Sequence, residues 1–167
     1  MTSLRLAGSK GDHDMKFRKS TLEDCKAIHS LICDMESKKL PYDRFEDIYH
    51  YQMSDCQYYC LICEQDGTVI SALNMRFEAQ LHHAERIAEI LEFVVANTCR
   101  NRGVGKEMLA QSCRIAADNG CSQIEVDCNQ LRKDTHRFYV REGMHCFHFK
   151  FSKQLAHDDP QENSLGR

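Results

Sequence analysis

The seven residues Arg100-Asn101-Arg102-Gly103-Val104-Gly105-Lys106 directly follow an apolar run ending Leu91-Glu92-Phe93-Val94-Val95, and they open a stretch with helical periodicity. A strand that passes to a helix through so short a turn requires an α/β arrangement, with the helix packed on its strand's own sheet. Glycine lets the backbone come close to a ligand. The first turn of a helix also presents N–H groups that have no partner inside it, and its positive end favours anions. Arg100, Arg102 and Lys106 add charge of the same sign. The segment is therefore a candidate loop for an anion such as a pyrophosphate; the plain alternative is an ordinary strand–helix turn. Two other phosphate motifs do not fit. The pattern G-x-x-x-x-G-K-[ST] needs wider spacing than Gly103 and Gly105 have, and G-x-G-x-x-G fails at Met108.

The rest of the chain alternates strand and helix signals. Met15 to Lys19 reads as a first strand. Thr21 offers an N-cap with Asp24 three residues on, and Leu22, Cys25, Ile28, Ile32 and Met35 share a helical face. A second helix begins after Pro41 and Asp43 and carries Phe45, Ile48, Tyr49 and Met53. Gln57 to Glu64 and Thr68 to Phe77 are strands joined by the turn signal Asp66-Gly67. Ala84 to Val95 is a third long strand. A helix then runs from about Gly103 to Asn119, with Gly120 suited to its C-cap. Gln123 to Cys128 reads as a short strand, Asp134 to Glu142 as a helix, and Met144 to Phe151 as a last strand or hairpin. The expectation is an α/β fold: a mixed, mostly antiparallel twisted sheet with helices on both faces.

A chain of 167 residues suits one domain, expected over 15–155 between a flexible arm (1–14) and a disordered tail (156–167). With 22 Lys and Arg against 25 Asp and Glu, it lacks the cationic surplus of a general nucleic-acid binder. No apolar run approaches the roughly 20 residues that span a bilayer, and the first residues carry no secretory signal. A cytoplasmic location is expected, with the 10 cysteines as free thiols. Cys60 and Cys63 fall on one strand at odd separation, so they face opposite ways and cannot share a zinc ion.

The pattern R-x-x-G-x-G at Arg100, Gly103 and Gly105, between a strand and a helix, resembles the acetyl-CoA loop of the GNAT N-acetyltransferase superfamily. Downstream, His136 to Met144 (HRFYVREGM) resembles the second signature, an aromatic pair before an R-x-G turn. Between them Asn129 ends the short strand, where that superfamily often has an Asn. The segments LHH (81–83), EI-x-E-x-VV (89–95), HRFY-x-REG (136–143) and HF-x-F-x-K (148–153) further resemble the bacterial aminoalkylphosphonate N-acetyltransferases. The NRGVG stretch departs from that group's loop.

Acetyl transfer to an amine needs a proton acceptor, a polarised thioester carbonyl and a donor for the departing thiolate. Glu89 and Glu92 interrupt an apolar strand, and their odd separation predicts opposite faces, one of them costly for a carboxylate. The resemblance favours Glu89 as the base; an ion pair with a neighbouring Arg or Lys is the plain alternative. It also implies Tyr139 as the acid, pantetheine pairing along Phe93, Val94 and Val95, and cofactor contacts from Asn129 and Arg141. A phosphonate would call on Arg76, His82, His83 and Arg86. The adjacent histidines also admit a divalent metal, although no metal ligand set is assigned. The function expected is acetyl-CoA-dependent acetylation of a small primary amine, first an aminoalkylphosphonate, by direct attack in a ternary complex. The alternatives are a polyamine, amino sugar, amino acid or protein amine as acceptor, or a non-catalytic CoA-binding sensor. A homodimer is suggested by superfamily analogy alone.

Overall fold

Five strands form one sheet in the order β1-β2-β3-β4-β5: β1 (Met15–Lys19), β2 (Tyr58–Gln65), β3 (Thr68–Gln80), β4 (Glu85–Val95) and β5 (Gln123–Val126). The first three pairings are antiparallel, and β4 with β5 is parallel. The helices are α1 (Cys25–Glu36), α2 (Tyr42–Ser54), α3 (Val104–Asp118) and α4 (Lys133–Arg141). The computed structural model describes residues 15–155, so the expected arm and tail lie outside the described residues. These fall into two compact units that meet in sequence at Asp127 and Cys128.

In the first unit, period-two alternation on β2 and β3 feeds two faces. Cys60, Ile62, Ala72 and Val94 turn to one face and cluster with Cys25, Ile28, Leu31 and Ile32 of α1 and Tyr49 of α2. The alternate residues Leu61, Cys63, Leu73 and Met75 are equally buried. They face the side of α3, which packs on β2, β3, β4 and β5 and buries Val104, Met108, Leu109 and Ala116. Cys60 and Cys63 accordingly lie on opposite faces, and all ten thiols are free.

Local signals place the elements. Asp66 and Gly67 both have positive φ, 51° and 77°, as a two-residue hairpin turn demands. Asp24 accepts the Thr21 N–H at 2.7 Å and pairs with Arg18 at 2.7 Å. That cap heads a short 3-10 turn, Leu22–Asp24, which is out of phase with α1 and leaves Leu22 exposed. Past α3, the Cys121 N–H returns to the Ala116 carbonyl over Gly120, which has a φ of 77°.

In the second unit, α4 is the only helix among the described residues. The strand expected over Met144 to Phe151 is not formed: those residues join no ladder, and Phe147, Phe149 and Phe151 are exposed. Alternating aromatics favour an extended chain, but a strand also needs a partner, which the run itself does not specify.

Candidate active site

β4 is irregular where the chemistry was expected. Across β3–β4, Met75 faces Ile90 and Asn74 faces Glu92, so Leu91 is an extra residue without an opposite number. Such a bulge bends its strand and resets the alternation. On the other edge the parallel ladder to β5 runs from Ile87 to Ile90 and stops. The bulge and the end of that ladder therefore coincide, and residues 91–95 continue with β3 alone in the register.

The reset alternation overturns the expectation that Glu89 and Glu92 face opposite ways. Glu89 lies across from Arg76 and Glu92 across from Asn74, two residues apart on regular β3, so both carboxylates share a face. It is the α1/α2 face, since Ala72 and Val94 continue the same row. Arg76 Nη2 contacts Glu89 Oε2 at 2.7 Å and Glu78 Oε2 at 2.9 Å. The buried Arg76 Nε has no hydrogen-bond partner among the described residues. Glu92 is placed differently. Asn74 Nδ2 donates to Glu92 Oε2 at 2.8 Å and to Gln52 Oε1 of α2 at 2.9 Å. Burial pushes the Glu92 carboxyl above its usual range, and the Asn74 bond pulls against that rise.

The other residues expected at the acceptor do not converge. Arg86 lies across from Ala79 on the opposite face and stacks over Phe77 at 5.6 Å, away from Arg76. The His82 and His83 rings lie 4.1 Å apart in the turn between β3 and β4. His83 Nε2 is 3.7 Å from Glu125 Oε1. No group of three His, Cys, Asp or Glu that could hold a metal occurs among the described residues.

The loop after β4 has the features of an anion cradle. A short 3-10 turn (Asn97–Cys99) leads to Asn101 and Gly103, both with positive φ, 59° and 83°. The first α3 N–H bonded back into the helix is that of Glu107, to the Gly103 carbonyl at 3.1 Å. The N–H groups of Val104, Gly105 and Lys106 precede it. Arg100, Asn101, Arg102 and Lys106 are exposed, whereas Val104 is buried and anchors the helix start. Arg100 Nε also donates to the Val95 carbonyl at 3.3 Å, tying the loop to the strand end.

Asn129, Tyr139 and Arg141 belong to the second unit. Asn129 Oδ1 accepts the Leu131 N–H at 2.9 Å, an Asx turn, and the Asn129 carbonyl lies 2.9 Å from His136 Nε2. Tyr139 is 9% exposed, and burial, then Cys128, raise its phenol well above the ordinary value while Arg132 opposes them. Arg141 ends α4, stacks over Phe138 at 5.7 Å and contacts Glu142 at 3.3 Å.

Sequence reasoning missed Asn74 and Gln52. A lone amide inside the apolar run Ile70-Ser71-Ala72-Leu73-Asn74-Met75 was the available signal, because a buried polar group needs a partner.

With this geometry in place, the comparisons are specific. Residues 25–144 match the model of the Acetyltransferase (GNAT) family. An aminoalkylphosphonate N-acetyltransferase from Salmonella typhimurium is 33% identical over 140 residues, 84% of this chain and 91% of that protein. Among solved structures, a transcriptional regulator from Bacillus halodurans C-125 superposes with a TM-score of 0.78 at 17% identity, over 84% of this chain and 99% of that one. A glucosamine-6-phosphate N-acetyltransferase from Arabidopsis thaliana gives 0.72 at 18% identity, over 85% of this chain and 99% of that one. At these identities the two structures speak for the fold alone.

Proposed function

The chain belongs to the GNAT acetyltransferase family, N-acetyltransferases that use acetyl-CoA, and from that premise we propose that it acetylates a small primary amine, first an aminoalkylphosphonate. The observation that carries the acceptor class is Arg76. Its guanidinium shares a sheet face with the half-buried carboxylate of Glu92, and a guanidinium is a donor group suited to phosphonate oxygens. The activity named for the relative from Salmonella typhimurium supports the same choice.

In this reading the loop from Arg100 to Lys106 binds the diphosphate of acetyl-CoA through helix-start N–H groups and its cations. The main chain of Phe93, Val94 and Val95 carries the pantetheine arm, with Asn129 and Arg141 as further contacts. Although the resemblance favours Glu89 as base, its carboxylate is engaged by Arg76 at 2.7 Å and helps orient the guanidinium. We assign the base to Glu92, whose burial brings its pKa toward that of a working proton acceptor. Glu92 takes a proton from the substrate ammonium, and the free amine attacks the thioester carbonyl. The C–N bond forms, the C–S bond breaks, and the nitrogen's second proton passes through solvent to restore the Tyr139 phenol, while Glu92 returns its proton to solvent. Tyr139, kept protonated through the neutral range by its raised pKa, donates to the leaving thiolate. Direct attack also suits the two sheet cysteines: burial pushes the Cys60 and Cys63 thiols up to about 12, leaving these two with almost no thiolate at pH 7.

A second reading has its own observation. Glu78, Glu89 and Glu92 outnumber Arg76 on that face, which favours an acceptor with a second cationic amine, such as a polyamine. A thiol-release assay with acetyl-CoA separates the readings. The panel holds 1-aminoethylphosphonate, 2-aminoethylphosphonate, spermidine, glucosamine and lysine peptides, each with and without a divalent metal. A phosphonate should give the highest kcat/KM. A faster spermidine reaction moves the assignment to polyamines, and no thiol release from any amine favours the sensor reading.

A further inference from the structure

One carboxylate in the sheet is held by a chain of two amides from different elements. Asn74 of β3 gives one amide hydrogen to Glu92 and the other to Gln52 of α2. Reversing the Asn74 amide would set its oxygen against the Glu92 carboxylate, so that contact fixes its orientation, and Gln52 turns its oxygen to match. A small cavity lined by Tyr49, Gln52, Met53, Tyr58, Cys60 and Asn74 adjoins the chain. The Asn74 side chain is only half-buried.

We infer that Asn74 is a positioning residue for acetyl transfer, fixing the rotamer of Glu92 and favouring its charged form, and that Gln52 holds Asn74 in place. This inference rests on the reading of Glu92 as the base. The titratable and charged groups around this face are Cys60 and Tyr58 of β2, Arg76 and Glu78 of β3, Tyr49 of α2, Cys25 of α1 and Glu89 of β4, with Glu78 also contacting Arg76 at 2.9 Å. Asp24, just before α1, is paired with Arg18. Burial pushes the Cys25, Cys60 and Tyr49 pKa values up, so these groups are neutral near pH 7. Glu89 and Arg76 are paired with each other. The Asn74 bond stabilises the Glu92 anion against its burial. Its loss therefore raises the Glu92 pKa further.

The test is the pH profile of kcat/KM, with saturating acetyl-CoA and the best amine of the panel, for wild type, Asn74→Ala, Asn74→Asp, Gln52→Ala and Glu92→Gln. In Asn74→Ala the acid limb should move up by about one pH unit, the worth of one hydrogen bond to a charged group. Asn74→Asp should move it further, because a second carboxylate disfavours the charge on the first. Gln52→Ala should move it the same way by less, and the KM for acetyl-CoA should not change. A rate lowered by one factor at every pH, with the limb in place, makes Asn74 a packing residue and overturns the inference. Gln52→Ala alters neither strand; if the Asn74 variants do not fold, it decides alone, and an unmoved limb there is the negative result. Wild-type turnover in Glu92→Gln refutes the base assignment itself, separately from the role of Asn74.

Discussion

Glu89 and Glu92 stand on the same face of β4, three residues apart, because the extra residue Leu91 between them turns the strand by one position. One is locked to Arg76 at 2.7 Å, and the other is held by an uncharged amide at 2.8 Å. Two identical side chains thus receive different surroundings: Glu89 faces a cation, while Glu92 meets only a neutral amide and its carboxyl is pushed up by burial.

Glu92 should trade stability for activity. Burial raises its pKa above the ordinary 4.5, so the folded state binds the proton more tightly than the unfolded chain. Stability then falls as pH rises from that ordinary value through the folded one. Glu92→Gln removes the penalty. Urea titrations should find the variant close to wild type near pH 4 and more stable than wild type at pH 8. Thiol release should drop by about 10²-fold or more. A variant less stable at pH 8 contradicts the proposed cost of burying this carboxylate.

Arg76 and Glu89 should separate in acceptor kinetics. Arg76→Met removes the guanidinium and should raise the KM for an aminoalkylphosphonate by about tenfold or more, the scale of one charge-assisted hydrogen bond. The KM for acetyl-CoA should stay constant. Glu89→Gln frees part of Arg76 and should lower the phosphonate KM, with a smaller loss of kcat than Glu92→Gln shows. Equal effects of Arg76→Met on phosphonate and non-phosphonate amines would remove Arg76 from substrate recognition.

Gly103 is required for its backbone, not for space. A Cβ there meets no atom within 4 Å, but φ is 83°. Gly103→Ala should therefore cost about 1–2 kcal/mol of strain at the loop. Calorimetric titration should show weaker acetyl-CoA binding, while kcat at saturating cosubstrate stays within about threefold. Unchanged affinity would place the diphosphate elsewhere.

Tyr139→Phe deletes only the buried hydroxyl. Turnover should fall by about 10²-fold while acetyl-CoA affinity measured by calorimetry persists. If the phenol only packs, kcat stays near wild type and the melting temperature carries the whole effect.

How far the sequence could be read depends on what each feature encodes. The loop was legible because its demands are local: Gly103 supplies a positive φ, and the helix start supplies N–H groups wherever the chain goes next. The helices on both faces and the Asp66-Gly67 hairpin follow from periodicity and turn chemistry for the same reason. The shared face of Glu89 and Glu92 was hidden, because a bulge is a property of two strands in register and Leu91 looks like any other strand residue. Arg76 and Arg86 looked like neighbours in the sequence, but pairing sends them to opposite faces. The aromatic alternation over Phe147, Phe149 and Phe151 described side chains correctly and a ladder wrongly, since period alone names no partner.

The bulge at Leu91 has a consequence for how this enzyme can change. The same added residue brings Glu92 onto the face of Glu89 and marks the point where β4 and β5 cease to be neighbours in the ladder. Side chains on that face can be exchanged one at a time to suit a new amine. The number of residues between Glu89 and Val94 cannot be altered so freely, because one insertion or deletion would shift the face of Glu92 and the end of the β5 ladder at once.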